Sequence, residues 1–219
     1  MHHVDQTGST NLDLVHAADD GAPDRTVLVT DHQTAGRGRL DRRWDAPPGD
    51  NLLVSLLFRR DLPIDPSEST RRVGLAVVDA VRSVAGIEAG LKWPNDVLVD
   101  EGKLAGILAH RCGDGSVVVG LGLNVRWAPE GAACLGSSVE PLAVLRTLLD
   151  AYDELPRDID RDYRSALLTL GRRVRIELAD GEIVGTATDV ERDGRLVVID
   201  ECAITHRVSV GDVVHLRPG

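Results

Sequence analysis

The chain has 219 residues, a formal net charge of −10 at pH 7 and 42% hydrophobic residues, enough for one sizeable core or an ordinary domain with a small appendage. The acidic balance argues against a general nucleic-acid or anionic-membrane surface. Cys112, Cys134 and Cys202, at wide and irregular spacing, form neither a disulfide framework nor a zinc pattern, and no apolar run is long enough to span a bilayer. A cytoplasmic protein with neither DNA nor membrane as partner is expected.

Ser9, Thr10 and Asn11 precede Leu12, Leu14, Val15 and Ala18, the pattern of a capped helix start, closed near Gly21. Thr26 to Thr30 predicts a short β-branched strand leading through Gln33 into the stretch Thr34 to Trp44. That stretch carries Arg37, Arg39, Arg42 and Arg43 among glycines and has no amphipathic period. It reads either as a solvated basic turn or as a phosphate-binding loop. Glycine lets backbone approach an oxyanion, and guanidinium forks grip phosphate with paired hydrogen bonds. It is neither the nucleotide loop ending in Gly-Lys-Ser/Thr nor a complete three-glycine dinucleotide pattern. Asn51 to Phe58 predicts a strand buried on both faces. After a loop from Pro63 to Pro66, Ser67 opens a helix whose Val73, Ala76, Val77, Ala80, Val81 and Val84 recur at spacings of three and four, ending at Gly86.

Leu91 to Asp96 reads Leu-Lys-Trp-Pro-Asn-Asp, and Trp-Pro interrupts a ladder so that polar side chains project at a strand end. Val97 to Val99, a turn at Asp100-Glu101-Gly102 and Lys103 to His110 predict a hairpin. A second turn leads into Val117 to Val125, where Gly120 and Gly122 mark a bulge or room for a ligand against bare backbone. The flanking helices are expected to cover one face of this antiparallel meander. Helical periodicity returns from Pro141 to about Gly171. Beyond it, five short strands with Asp-Gly and Gly-Asp punctuation predict a small barrel.

Only two lysines occur, Lys92 and Lys103, and asparagine occurs only at 11, 51, 95 and 124. In a chain so depleted of both types, the positions that keep them mark the chemistry, which falls between residues 11 and 124.

The arginine loop, Lys-Trp-Pro-Asn-Asp, Lys-Leu-Ala-Gly-Ile-Leu and Gly-Leu-Gly-Leu-Asn-Val, in that order, resemble the motifs of biotin protein ligases along essentially the whole chain. The resemblance implies an α+β architecture: a mixed, mainly antiparallel sheet with flanking helices of the class II synthetase-like type over residues 1–171, and an SH3-like barrel over 172–219. It implies the short class without the DNA-binding domain. It also implies a two-step reaction, with biotinyl-5′-AMP formed from biotin and ATP in the presence of Mg²⁺, then biotin transferred to a lysine of a biotin carboxyl carrier domain of an acyl-CoA or pyruvate carboxylase. By resemblance, Lys103, Arg37 and Arg39 act in catalysis. Ser9, Thr10, Asn11, Gln33, Gly38, Gly106 and Gly120 join them around biotin. Arg39, Arg42, Trp44, Lys92, Asn95, Asp96, Asn124 and Arg217 hold the nucleotide, with Asp96 a weak metal contact. Asp41 stands where the family often carries glycine. A monomer or homodimer is expected. The alternatives are a lipoate-type acyl-adenylate ligase, against which the Gly-Arg-Gly-Arg loop argues, and an RNA-binding module, against which the net charge and scarce aromatics argue.

Overall fold

In the strand pair β3 (Leu52–Phe58) and β7 (Val117–Leu123), successive side chains point to opposite faces, and both faces are buried. A strand that is apolar on both sides needs cover on both sides. The computed structural model describes residues 1–59, 65–178 and 181–216, and it supplies that cover with three helices. Leu52, Val54 and Leu56, with Val117, Val119, Leu121 and Leu123, join α2 (Pro66–Ala85) and α3 (Pro141–Glu154) in the main core. On the reverse face Leu57 and Val118 pack against Leu14 and Ala18 of α1 (Thr10–Asp19). Helices therefore lie on both faces, not on one as expected.

These strands belong to a seven-stranded sheet with β1 (His2–Thr7), β2 (Val27–Gln33), β4 (Gly90–Lys92), β5 (Asp96–Val99) and β6 (Gly102–Arg111), ordered β1-β2-β3-β7-β6-β5-β4. Only β1 and β2 run parallel. Strand β1 escaped the sequence reading because His-His-Val-Asp-Gln-Thr is an edge strand with almost every side chain exposed, so no alternation marks it. On the α1 face the register sets Ser55 beside Gly120 and Gly120 beside Leu108; the next row is Leu53, Gly122, Gly106 and Asp96. The helix covers one end of this face, its Asn11 lying over Gly120, and stops short of the Gly122–Gly106 row.

Local chemistry fixes the helix ends. Asp65, two residues ahead of the expected opener, accepts a hydrogen bond from Ser67 N and caps α2, with Pro66 in the first turn and Gly86 left-handed at its end. Pro63, at the start of the expected loop, lies outside the described residues. Ser9 makes no side-chain cap on α1; instead Gln33 Oε1 accepts from Thr10 N at 2.8 Å and from the Thr10 hydroxyl at 3.1 Å. The expected helix running to Gly171 stops earlier: α4 spans Asp160–Ala166, and Leu167 turns to bridge Leu91 on the edge strand.

The C-terminal strands β8 (Arg173–Leu178), β9 (Gly181–Val190), β10 (Leu196–Asp200), β11 (Thr205–Val208) and β12 (Asp212–His215), five as the expected small barrel needs, form an antiparallel sheet ordered β11-β10-β9-β8-β12. Their inward residues, among them Val174, Ile176, Leu196 and Val213, belong to the same continuous core as α2 and the large sheet. Two buried side chains pin the seam. The Trp93 indole N–H donates to Gly194 O at 2.8 Å, and Arg71, beneath the Tyr163 ring, donates to Arg192 O at 2.7 Å. Among the described residues no helix is long and apolar enough to cross a membrane.

Candidate active site

The bare half of the α1 face is the floor of a cavity of about 260 Å³. At one end stands the start of α1. Ser9, Thr10 and Asn11 are buried there; the Thr10 and Ser55 hydroxyls meet at 2.9 Å, and Asn11 Nδ2 donates to Leu108 O at 3.1 Å. Gly120 is required beneath them, because a Cβ would lie 2.8 Å from Asn11 Nδ2. This end is small, neutral and polar, suited to an uncharged group with donors and acceptors.

Mid-floor, Gly106 and Gly122 are register partners, and the Trp44 indole lies across them. A Cβ on Gly122 would come within 2.6 Å of Trp44 Nε1, and one on Gly106 within 3.1 Å of Trp44 Cζ3. The Trp44 N–H is buried and has no acceptor among the described residues. Lys103 Nζ stands 5.6 Å from the indole centroid and 2.7 Å from Asp96 Oδ1, a cation held in place by the carboxylate that shares its sheet face.

The arginine loop forms the roof. It closes as a finger: Arg37 bridges Arg43, Trp44 N donates to Gly36 O at 3.0 Å, and Gly38 N donates to Arg42 O at 2.7 Å. The tip is a short 3₁₀ turn, Arg39–Asp41, in which Leu40 is left-handed. Arg39 donates to Asn95 Oδ1 at 3.1 Å and to Gly211 O at 3.3 Å. Asp212, on β12, pairs with Arg42 and lies 3.9 Å from Arg39; Asp45 pairs with Arg43 at 3.0 Å. The repulsion expected among four arginines is thus offset by carboxylates, one supplied by the C-terminal sheet. Arg37 lines the cavity and makes no ion pair with another described residue.

The cavity gathers Ser9, Thr10, Asn11, Gln33, Arg37, Gly38, Arg39, Arg42, Trp44, Asn95, Asp96, Lys103, Gly106, Gly120 and Asn124. It does not gather Lys92, which sits one strand further out, opposite Asp96. Its charge still acts on His215, whose pKa is lowered to about 4 by burial first, then by the Arg172 and Lys92 charges. Arg172 donates toward His215 Nδ1 at 3.3 Å, and His215 Nε2 lies 3.2 Å from Thr169 Oγ1, which accepts from Trp93 N at 3.0 Å. The imidazole therefore supports the Trp93 turn in its neutral form. Arg217 lies outside the described residues. Asn124 reaches the cavity wall, but both its amide hydrogens are committed, to Lys103 O at 3.2 Å and Ala133 O at 3.1 Å.

Sequence reasoning missed Ser55 and Asp212 as cavity residues or neighbours. Gly122, read with Gly120 as room for a ligand against bare backbone, does line the cavity. Asp212 carried no signal, because the approach of β12 to the roof is a long-range event.

Comparison with known proteins adds the following. A model of the biotin/lipoate A/B protein ligase family matches residues 5–125, and one of the biotin protein ligase C-terminal domain matches residues 169–216. The chain is 42% identical to the biotin–[acetyl-CoA-carboxylase] ligase of Mycobacterium tuberculosis, over 98% of this chain and 88% of that protein. It is 29% identical to the bifunctional ligase/repressor BirA of Bacillus subtilis, over 89% of this chain and 67% of that one. The biotin protein ligase of Aquifex aeolicus, solved in complex with biotin and ATP, superposes with a TM-score of 0.81 at 27% identity, covering 99% of this chain and 98% of that chain.

Proposed function

The chain belongs to the biotin/lipoate A/B protein ligase family as a biotin protein ligase, and we propose that the cavity beneath the arginine loop performs both of its half-reactions. In the first, a biotin carboxylate oxygen attacks the α-phosphorus of ATP; the new C–O–P anhydride forms as the bond to the β-phosphate oxygen breaks, and pyrophosphate leaves. In the second, the neutral amine of a carrier lysine attacks the anhydride carbonyl carbon. The amide forms, AMP leaves with the bridging oxygen, and the amine proton passes to solvent.

Two anions must meet in the first step, so fixed cations have to offset their repulsion and meet the charge developing on the phosphoryl oxygens. Lys103 is the point charge between carboxylate and α-phosphate. Arg37 and Arg39 flank it, and Arg42 reaches the polyphosphate by exchanging Asp212 for phosphate oxygens. The neutral end at Ser9, Thr10, Asn11 and Gln33 takes the ureido ring, with the apolar chain laid over Gly120 and Gly106. Trp44 swings from its glycine shelf to stack on adenine, beside the wall that Asn124 holds. Closing the roof keeps water from a hydrolysable anhydride.

Among the described residues no cluster of three or more metal-ligating side chains occurs. Mg²⁺ therefore fits as an ion carried on the triphosphate with its own waters, Asp96 being the nearest carboxylate beside Lys103. When bound it screens the polyphosphate charge. We assign residues 1–171 to the catalytic unit and 172–219 to the C-terminal barrel. The carrier is a biotin carboxyl carrier domain of a cytoplasmic acyl-CoA or pyruvate carboxylase.

The observation that carries this reading is the meeting of Lys103, Asp96, Arg39 and Asn95 with a glycine floor and a neutral polar end in one cavity. The test is to incubate the protein with ATP, Mg²⁺, biotin and a carrier domain and to weigh the carrier. A biotin-sized mass increase on one lysine is expected; a carrier left unmodified, with no biotin-dependent release of pyrophosphate, would refute the assignment.

A further inference from the structure

Of the four asparagines, three line the cavity and one does not. Asn51 lies behind the wall at the entrance of β3, 3% exposed, and a buried amide is costly unless its groups are satisfied. Its oxygen accepts from two backbone donors, Val125 N at 3.0 Å and Trp127 N at 3.3 Å. Backbone N–H groups cannot accept, so these two contacts fix which end of the Asn51 amide is oxygen. Only its NH₂ is left to face Asn124, and it donates to Asn124 Oδ1 at 3.3 Å. Asn124 must then turn its own NH₂ the other way, onto Lys103 O and Ala133 O. Those carbonyls belong to the residue carrying the central cation and to the loop whose Pro129 and Ala132 line the cavity. Ala133 N donates to Lys103 O at 3.0 Å, closing the network.

We infer that Asn51 is a positioning residue for the nucleotide end of the site: by dictating the polarity of the Asn124 amide it holds the Lys103 backbone and the 129–133 wall in register. It touches no substrate and acts through Asn124. The chain of bonds ends at Lys103 and the 129–133 loop, and it does not reach the Ser9–Asn11 end. Its loss therefore falls on ATP rather than on biotin. The inference rests on the ligase reading above.

The decisive variant is Asn51→Asp. It preserves shape and both bonds to Val125 N and Trp127 N, but sets an oxygen against Asn124 Oδ1 in place of a donor. Biotin-dependent ATP–pyrophosphate exchange is measured for wild type and variant, with biotin affinity measured separately by calorimetry. The KM for ATP should rise about tenfold, the scale of one buried hydrogen bond lost with its partner left facing an acceptor, while biotin affinity stays near wild type. Should the aspartate variant fail to bind biotin through misfolding, Asn51→Ser, too short to reach Asn124, decides the question with the same split. A folded variant with unchanged KM for ATP, or with ATP and biotin affected alike, would overturn the positioning role. Wild-type protein showing no biotin-dependent exchange would instead overturn the ligase reading, and this inference with it.

Discussion

Replacing Lys103 by alanine removes the cation held 2.7 Å from Asp96 at mid-floor. Two effects combine. Loss of a preorganised charge at the reacting phosphorus lowers turnover by about 10²–10³, the usual cost of deleting one transition-state contact. The change also strands Asp96, whose side chain is 22% exposed, facing an incoming triphosphate. Two unit charges at about 4 Å repel by roughly 4 kcal/mol at an effective dielectric near 20, and partial exposure with salt reduces this to roughly 1–2 kcal/mol. Adding Asp96→Asn to Lys103→Ala should therefore regain about tenfold of the lost turnover. The assay is biotin-dependent pyrophosphate exchange at saturating biotin, with circular dichroism to verify folding. Near wild-type turnover in the single variant would remove Lys103 from its role. A double variant slower than the single one would show that Asp96 contributes directly, as a metal or substrate contact, and that the repulsion argument is wrong.

Three other outcomes are expected. Arg39→Ala breaks the contacts to Asn95 and Gly211, so biotinyl-AMP should escape and free adenylate should accumulate during single turnover; unchanged retention would argue against a clamp. Asp212→Asn removes the carboxylate that ties Arg42 to the C-terminal sheet, so trypsin should cut the arginine loop several times faster in the absence of ligands, and biotin with ATP should restore protection; equal cutting rates would leave Asp212 without a part in holding the loop. His215 binds its proton in the folded state only near pH 4, whereas the unfolded imidazole binds it near the ordinary value of about 6.5. The stabilisation is thus complete above pH 6.5 and is lost as pH falls toward 4, because the unfolded chain takes up the proton first. The melting temperature should drop across that window more steeply in wild type than in His215→Gln.

What could be read from the letters was whatever rests on local pattern. The two-faced strand at Asn51 to Phe58, the hairpin at Asp100 to Gly102 and the glycine pair at 120 and 122 follow from a nearly unbroken apolar run, turn residues and missing side chains, signals that act over a few positions. Lys103 and the asparagines stood out because their residue types are rare in this chain. What could not be read depends on contacts between distant segments. The edge strand β1 has no buried face to pattern it. The cap of α2 is Asp65, whose carboxylate accepts from Ser67 N, and not the Ser67 expected from the sequence. Lys92 stood out with Lys103 as a rare lysine and was expected at the nucleotide, yet its place one strand further out leaves it outside the cavity lining. Asn51 was noted as rare and given no role, since its meaning depends on Val125 and Trp127, more than 70 positions away.

The shared core between the large sheet and the C-terminal strands has a practical bearing on how this protein can be dissected. Cutting the chain near Gly171 would lay open the apolar side of Val174, Ile176 and Leu196 on one piece, and leave the Trp93 indole and the Arg71 guanidinium without their acceptors on the other. The truncated ligase unit would emerge as sticky, poorly folded material and not as a slower enzyme. Point changes along the seam, which leave the two halves wedded, are the way to ask what the tail contributes to turnover.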